Sequence, residues 1–259
     1  MPGPQPNVGN PLFRQIADAL RADIGDGSLG PGERLPSEYE LVERFGTTRA
    51  TIRKAIALLR SEGLVVSRQG KGAFVRQRPP VRLLATGDNY RRRRDSGTAN
   101  FVAEMAAQGR KGRQHILEVA EVPAPSEVAE RLALRVGSPV LVRRRLLTAD
   151  DEPMQLTDGY YPLPVVADTP AAGEAPVPGG IHGCLERASA GRWKVARFVE
   201  DLDIRMPVPA EAERLSIPPG VPLARALRTA YTADEEPFEV LDSLIPCDRH
   251  SFRYVIEVP

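Results

Sequence analysis

Arg49 and Arg53 stand one helical turn apart in the run Thr47-Thr48-Arg49-Ala50-Thr51-Ile52-Arg53. Their type and spacing suit one chemistry best. A guanidinium offers two parallel N–H donors that match the O6 and N7 acceptors of guanine. Thr48 and Thr51 add short hydroxyls suited to phosphate oxygens, and a helix N-terminus supplies positive potential beside them. Gln69, Gly70 and Lys71 form a compact tip whose polar ends suit a minor groove. Other chemistries lack their residues. The chain has no His-Glu-x-x-His, Gly-x-Ser-x-Gly, Walker loop or Cys-x-x-Cys. His115, His182 and His250 are far apart in sequence, and His250, after Asp248-Arg249, is expected to make a structural hydrogen bond. Cys184 and Cys247 are too few and too distant for a disulfide scaffold or a cysteine zinc site. No catalytic residue, metal or cofactor is therefore expected.

The elements that must position these groups can be read from apolar spacing and capping signals. Leu12, Ile16, Leu20 and Ile24 recur every fourth residue, which predicts a first helix ending at Gly25 to Gly27. Ser37, with Glu40 three residues on, predicts a capped second helix through Leu41, Val42 and Phe45 to Gly46. A third helix begins at Thr47 or Thr48, carries Ile52, Ile56 and Leu59 on one face, and stops at Gly63. Two alternating runs, Leu64–Arg68 and Ala73–Arg76, flank the Gln69–Gly72 tip and predict a β-hairpin. The tight Phe45-Gly46-Thr47 junction sets two helices at a steep angle, as in a helix-turn-helix, and the hairpin makes it a winged one.

Charge is distributed unevenly over the 259 residues. Residues 1–76 hold 11 basic and 8 acidic side chains, residues 77–113 hold 9 and 3, and residues 114–259 hold 15 and 23. A basic front and an acidic back suit two modules with different partners, the first a polyanion. No run approaches the roughly 20 apolar residues that span a bilayer, and the Pro/Gly/Asn-rich start has no export pattern, so a cytoplasmic protein without a membrane partner is expected. Residues 1–10 read as a flexible N-terminus and residues 77–100 as a basic linker with little apolar periodicity, a natural hinge. Its Arg91-Arg92-Arg93-Arg94 run reads either as solvated linker or as a sequence-blind phosphate contact.

The back half contains a duplication. Glu130-Arg131-Leu132, Gly137 and Pro139 match Glu213-Arg214-Leu215, Gly220 and Pro222 at an offset of 83, and Thr148-Ala149-Asp150 and Glu152-Pro153 match Thr232-Ala233-Asp234 and Glu236-Pro237 at 84. Each copy reads as a short helix, a Gly-x-Pro entry, a long strand, an acidic hairpin turn and a second strand. Two such copies suit one antiparallel sheet with pseudo-twofold symmetry and added helices, an α+β domain.

Residues 11–76 resemble the DNA-binding domain of the GntR family of bacterial transcription regulators. The resemblance rests on Pro11 to Ile16, Gly32-Glu33-Arg34-Leu35-Pro36-Ser37-Glu38, Phe45 to Ala55, Glu62 to Val65 and the Arg68–Gly72 wing. Residues 101–259 resemble the effector-binding UTRA domain of the HutC subfamily through Phe101 to Gly109, Pro125 to Leu134, the Thr-Ala-Asp turns and Asp248-Arg249. The resemblance implies a winged helix-turn-helix followed by a chorismate-lyase-like antiparallel sheet with helices. It places Ser37, Tyr39, Thr48, Arg49, Thr51, Arg53, Gln69, Gly70 and Lys71 at the DNA surface. Tyr39 stands where many relatives carry Arg, which removes a charge and a guanine fork.

The resemblance also implies an effector pocket. Arg145 and Glu239 match polar pocket positions of sugar-phosphate-binding relatives, whereas Leu147, Thr157 and Ile245 replace an Arg, a Glu and a Tyr. A less polar, singly anionic or neutral ligand is expected. Thr98, Asn100, Thr157 and Tyr160 are the further candidates for hydrogen bonds to it. Together these features imply a homodimeric repressor that binds a double-stranded, inverted-repeat operator and is released by a small-molecule effector. A ligand-independent repressor and a lyase-like enzyme tethered to a DNA-binding head are the alternatives.

Overall fold

The computed structural model describes residues 10–68, 70–76, 81–84, 100–177 and 179–253. Gln69, the Arg91–Arg94 run and Thr98 lie outside these residues. The chain divides into two compact units, the first built on residues up to Pro80 and the second on most of the residues from Val81 onward.

The first unit contains α1 (Leu12–Gly25), α2 (Glu38–Phe45), α3 (Arg49–Ser61) and the antiparallel hairpin of β1 (Val65–Arg68) and β2 (Gly72–Val75). Ser37 and Glu40 form the expected reciprocal cap: the Glu40 amide donates to Ser37 Oγ at 3.2 Å, and the Ser37 amide donates to Glu40 Oε2 at 2.6 Å. Gly46 ends α2 in the left-handed region at φ +59°, which only glycine adopts without cost and which allows the two-residue step to α3. Ile16, Leu20, Leu41, Ile52 and Leu59 are fully buried where the three helices meet, each side chain contributing about 1.5–3 kcal/mol through burial. Leu12 departs from the expected face and is 45% exposed, because it sits in the first turn, beyond that core. Arg21 closes the α1–α3 contact with hydrogen bonds to both carboxylate oxygens of Glu62. The wing has a third strand-like partner that periodicity did not reveal: Arg34 bridges Phe74, and the Leu35 amide donates to the Ala73 carbonyl at 2.9 Å.

The second unit begins with β3 (Val81–Leu84), which pairs in parallel with β10 (His250–Arg253). The stretch expected to be an irregular linker therefore contains a strand. Next come α4 (Asn100–Ala107), β4 (Gly112–Pro123), α5 (Ser126–Arg131), β5 (Pro139–Ala149), β6 (Glu152–Pro162), α6 (Leu163–Val166) and a short 3-10 turn at Pro170–Ala172. α7 (Gly180–Ala188), β7 (Arg197–Arg205), α8 (Pro209–Arg214), β8 (Leu223–Tyr231) and β9 (Pro237–Pro246) complete it before β10. The six-stranded antiparallel sheet has the order β4-β5-β6-β9-β8-β7. Asp158 on β6 faces Asp242 on β9, its own counterpart at the offset of 84, so a pseudo-twofold axis passes between them. The β5–β6 turn places Asp150 and Asp151 at φ +50° and +65°, the backbone a two-residue hairpin demands.

Strand alternation sorts the side chains. One sheet face carries Arg143, Arg145, Thr157, Gly159, Tyr161, Glu239 and Ser243; the other carries Val142, Arg144, Asp158, Tyr160, Val240 and Asp242. α6, the 3-10 turn and α7 cover the first face through a core of Leu141, Tyr161, Val165, Val166, Leu185, Trp193 and Phe238. α5 covers the second through Val128, Ala129, Leu132, Val140, Val142, Tyr160 and Val240.

Candidate nucleic-acid interface and effector face

The N-terminal turn of α3 is presented by its own cap. Thr48 has extended backbone angles, its Oγ1 accepts the Thr51 amide at 3.3 Å, and the two threonine hydroxyls lie 3.0 Å apart. Arg49 at the first helical position is exposed, with no ion pair among the described residues. Arg53, one turn on, has a 68% exposed side chain whose Nε donates to both Glu38 oxygens, at 2.9 and 3.0 Å. Tyr39 is 60% exposed beside Glu38. Gly70 and Lys71 are exposed at the wing tip, where Gly70 and Gly72 take φ +70° and +105°. Ser37 is half-buried, and its hydroxyl is engaged in the α2 cap.

In the second unit the structure brings Arg145, Thr157 and Glu239 to the helix-covered sheet face, and it does not bring Tyr160 there. Tyr160 is corrected: it points to the opposite face, into the α5 core, because one residue along a strand reverses the side chain. Its neighbour Tyr161 occupies the face instead. The Tyr161 hydroxyl donates to Glu239 Oε1 at 2.7 Å and His182 Nε2 to Glu239 Oε2 at 2.5 Å. Burial alone would push the Glu239 carboxyl up. The charge and hydrogen bond of His182, the Tyr161 hydroxyl and the nearby Arg145 outweigh that and hold it below the usual carboxylate range. Burial, followed by the Glu239 charge, pushes the Tyr161 phenol well above its ordinary value. A β-carbon on Gly159 would sit 2.8 Å from the Tyr161 hydroxyl, so glycine there is what lets the ring reach Glu239.

Thr157 is buried in a polar rung: Gln155 Nε2 donates to its hydroxyl at 2.7 Å, and Ser243 Oγ lies 3.2 Å away. Arg143, only 1% exposed, is a strut: it donates to the carbonyls of Ala171 at 2.7 Å and Ala175 at 3.2 Å, and to that of Gly173. Burial lowers its pKa from the ordinary arginine value. Arg145 differs. It is half-buried, and among the described residues its Nε has no hydrogen-bond partner and its guanidinium makes no ion pair. Leu147 is buried against Phe101, Met105 and Met154, and Ile245 against Ala224 and Ala226. The backbone of Asn100 opens α4. Sequence reasoning missed Arg143, Tyr161, His182, Gln155 and Ser243. Counting by twos from Thr157 would have selected Tyr161, but no sequence signal pairs His182 with Glu239.

Residues 12–75 match the bacterial regulatory proteins of the gntR family, and residues 107–251 match the UTRA domain. The chain belongs to the GntR family. Over 252 residues this GntR-family chain is 30% identical to an uncharacterised HTH-type transcriptional regulator of Streptomyces coelicolor, covering 96% of this chain and 94% of the relative. It is 26% identical over 247 residues to the HTH-type transcriptional repressor NagR of Bacillus subtilis, covering 95% of each. The histidine utilization repressor of Pseudomonas aeruginosa is 32% identical over 161 residues, 62% of this chain and 60% of that one. Among solved structures, PhnF from Mycobacterium smegmatis superposes with a TM-score of 0.56 at 26% identity, covering 94% of this chain and 99% of that one. A GntR/HutC-type transcription regulator of α+β architecture is thereby shown, and no described helix is long and apolar enough to cross a membrane.

Proposed function

We propose that this regulator is a ligand-responsive repressor that binds a short inverted-repeat operator in double-stranded DNA as a homodimer and is released by a small-molecule effector. Residues 11–76 form the reading head and residues 101–259, joined by β3, the effector and dimerisation body, with the rest of the basic stretch 77–100 connecting them. The observation that carries the reading is the exposed N-terminal turn of α3, with Arg49 free of any ion pair among the described residues and one turn from Arg53. A twofold dimer of such heads requires a palindromic site. NagR and the histidine utilization repressor are both named as repressors, which supports the sign of regulation.

The effector site is the helix-covered sheet face. Glu239 is already hydrogen-bonded by Tyr161 and His182, while Arg145, within Coulombic reach of it, makes no hydrogen bond or ion pair of its own among the described residues. That balance favours a ligand carrying one negative group, with Thr157 beside Arg145 in the neighbouring strand. Such a ligand releases DNA only if it prefers one conformation of the dimer, since equal affinity for both shifts nothing.

Arg49→Ala tests the reading head. The variant is expected to lose about 1–3 kcal/mol of operator binding and to relax base preference. Operator affinity within error of the wild type in a gel-shift titration would refute the groove assignment.

A further inference from the structure

We propose that Glu38 is a positioning residue that aims the Arg53 guanidinium at DNA, and so sets how sharply the head discriminates between sequences. The inference rests on the reading head proposed above. Glu38 occupies the first position of α2 and Arg53 the second turn of α3, 15 residues later. Both carboxylate oxygens converge on Nε of Arg53, at 2.9 and 3.0 Å. A carboxylate that competed for the whole fork would take the two Nη groups, or one Nη and Nε together. Here the contact consumes only the inner edge of the guanidinium. The four Nη–H donors are left for a partner outside the protein, in the solvent where 68% of the Arg53 side chain already lies.

Two consequences separate aiming from mere charge. An unrestrained arginine has several rotatable bonds and can follow any phosphate, so it adds affinity without sequence preference. An arginine held at Nε presents its Nη pair in one direction, which rewards a matching acceptor pair and penalises a misplaced one. The Glu38 carboxylate also opposes indiscriminate approach of phosphates to the same surface. The exposed pair adds little to folding stability, as surface ion pairs generally do. Its effect belongs in the ratio of specific to non-specific binding.

The test uses the full-length protein and two probes: the duplex that the wild type selects most strongly from a random-sequence pool, and a random-sequence duplex of equal length. Binding is followed by fluorescence anisotropy across a salt series. Glu38→Ala is expected to bind the random duplex about two- to fivefold more tightly and the selected duplex more weakly, so that their affinity ratio falls by about tenfold. Glu38→Gln keeps an acceptor for Nε and should recover part of that ratio. In an Arg53→Ala background, Glu38→Ala should leave the ratio unchanged, which a double-mutant cycle reads directly. A merely structural Glu38 would lower the melting temperature and weaken both probes alike, and that result overturns the inference. So does a Glu38→Ala variant that binds the selected duplex more tightly with its ratio intact, since Glu38 would then be a competitor. If the wild type itself prefers no duplex, the reading-head proposal has failed, a different outcome from a wild-type preference that Glu38 does not affect.

Discussion

Stability should fall with mild acid through His250, and replacing that histidine should remove the effect. His250 is 3% exposed at the start of β10. Its Nδ1 lies 2.9 Å from the Pro246 carbonyl, an oxygen that only accepts, so Nδ1 carries the hydrogen. The other nitrogen, Nε2, is buried and has no hydrogen-bond partner among the described residues. Protonation would place a second N–H, and a positive charge, where nothing receives them. Burial therefore depresses the His250 pKa to about 4, from an ordinary value of 6.5, with the neighbouring charge of Arg249 acting the same way. Below pH 6.5 the unfolded chain takes up a proton that the folded chain refuses, so the unfolded state gains stability as pH falls. A fall from 6.5 to about 4 corresponds to a limit of roughly 3 kcal/mol near pH 4, of which about 2 kcal/mol is already lost at pH 5. Urea unfolding at pH 7 and pH 5 measures it. His250→Asn keeps a donor for Pro246 but cannot titrate, and its stability should fall about 2 kcal/mol less over that interval than the wild type's. His115, His182 and the carboxylates are common to both proteins, so they largely cancel in the difference. Parallel pH profiles for the two proteins would refute the reasoning.

Two further outcomes follow from the paired arginines of the effector face. Arg143→Ala removes a buried guanidinium and leaves the Ala171, Gly173 and Ala175 carbonyls without that donor, so it should cost about 3–5 kcal/mol; a melting temperature within a degree of the wild type would show that the strut carries nothing. Arg145→Met, by contrast, breaks no hydrogen bond among the described residues and should melt within about 1 kcal/mol of the wild type, while isothermal titration with a ligand that binds the wild type should show the affinity lost. Undiminished affinity would place the ligand elsewhere.

The reading head was legible because its signals are local. A capping box, a glycine forced to positive φ and four-residue apolar spacing each act within one turn, and each fixes a boundary. The duplication, likewise, announced the pseudo-twofold sheet through matched turns. What escaped was decided by pairing across long separations. Leu35 joins the wing as part of a single bridge with no alternation to mark it, and Val81–Leu84 becomes a strand only because residues 250–253 lie alongside. Tyr160 and Tyr161 are adjacent aromatics, and only their register with β9 says which faces Glu239. Arg143, Arg144 and Arg145 are indistinguishable in composition. The structure makes the first a strut, the second an ion-pair partner of Glu118 and Asp158, and the third a cation with no ion pair among the described residues.

The duplicated sheet also bears on the proposed effector site, because its two halves treat the matching arginine differently. At the offset of 83 the counterpart of Arg145 is Arg228, in the matching strand and on the same helix-covered face. Opposite Arg228, on β7, stands Glu200, which receives its Nε at 2.7 Å and lies 2.6 Å from Nη2, while the guanidinium stacks 5.2 Å from the centre of Phe198. Opposite Arg145, on β4, stands Ile116, which offers no charge. The same cation is thus ion-paired in one half and, among the described residues, without an ion pair in the other. Arg145 is half-buried and within Coulombic reach of Glu239, but the Glu239 oxygens are already hydrogen-bonded to Tyr161 and His182, so Arg145 forms no ion pair among the described residues. Under the function proposed above, an anionic ligand is expected to favour the Arg145 half, where Ile116 stands in the place that Glu200 takes opposite Arg228.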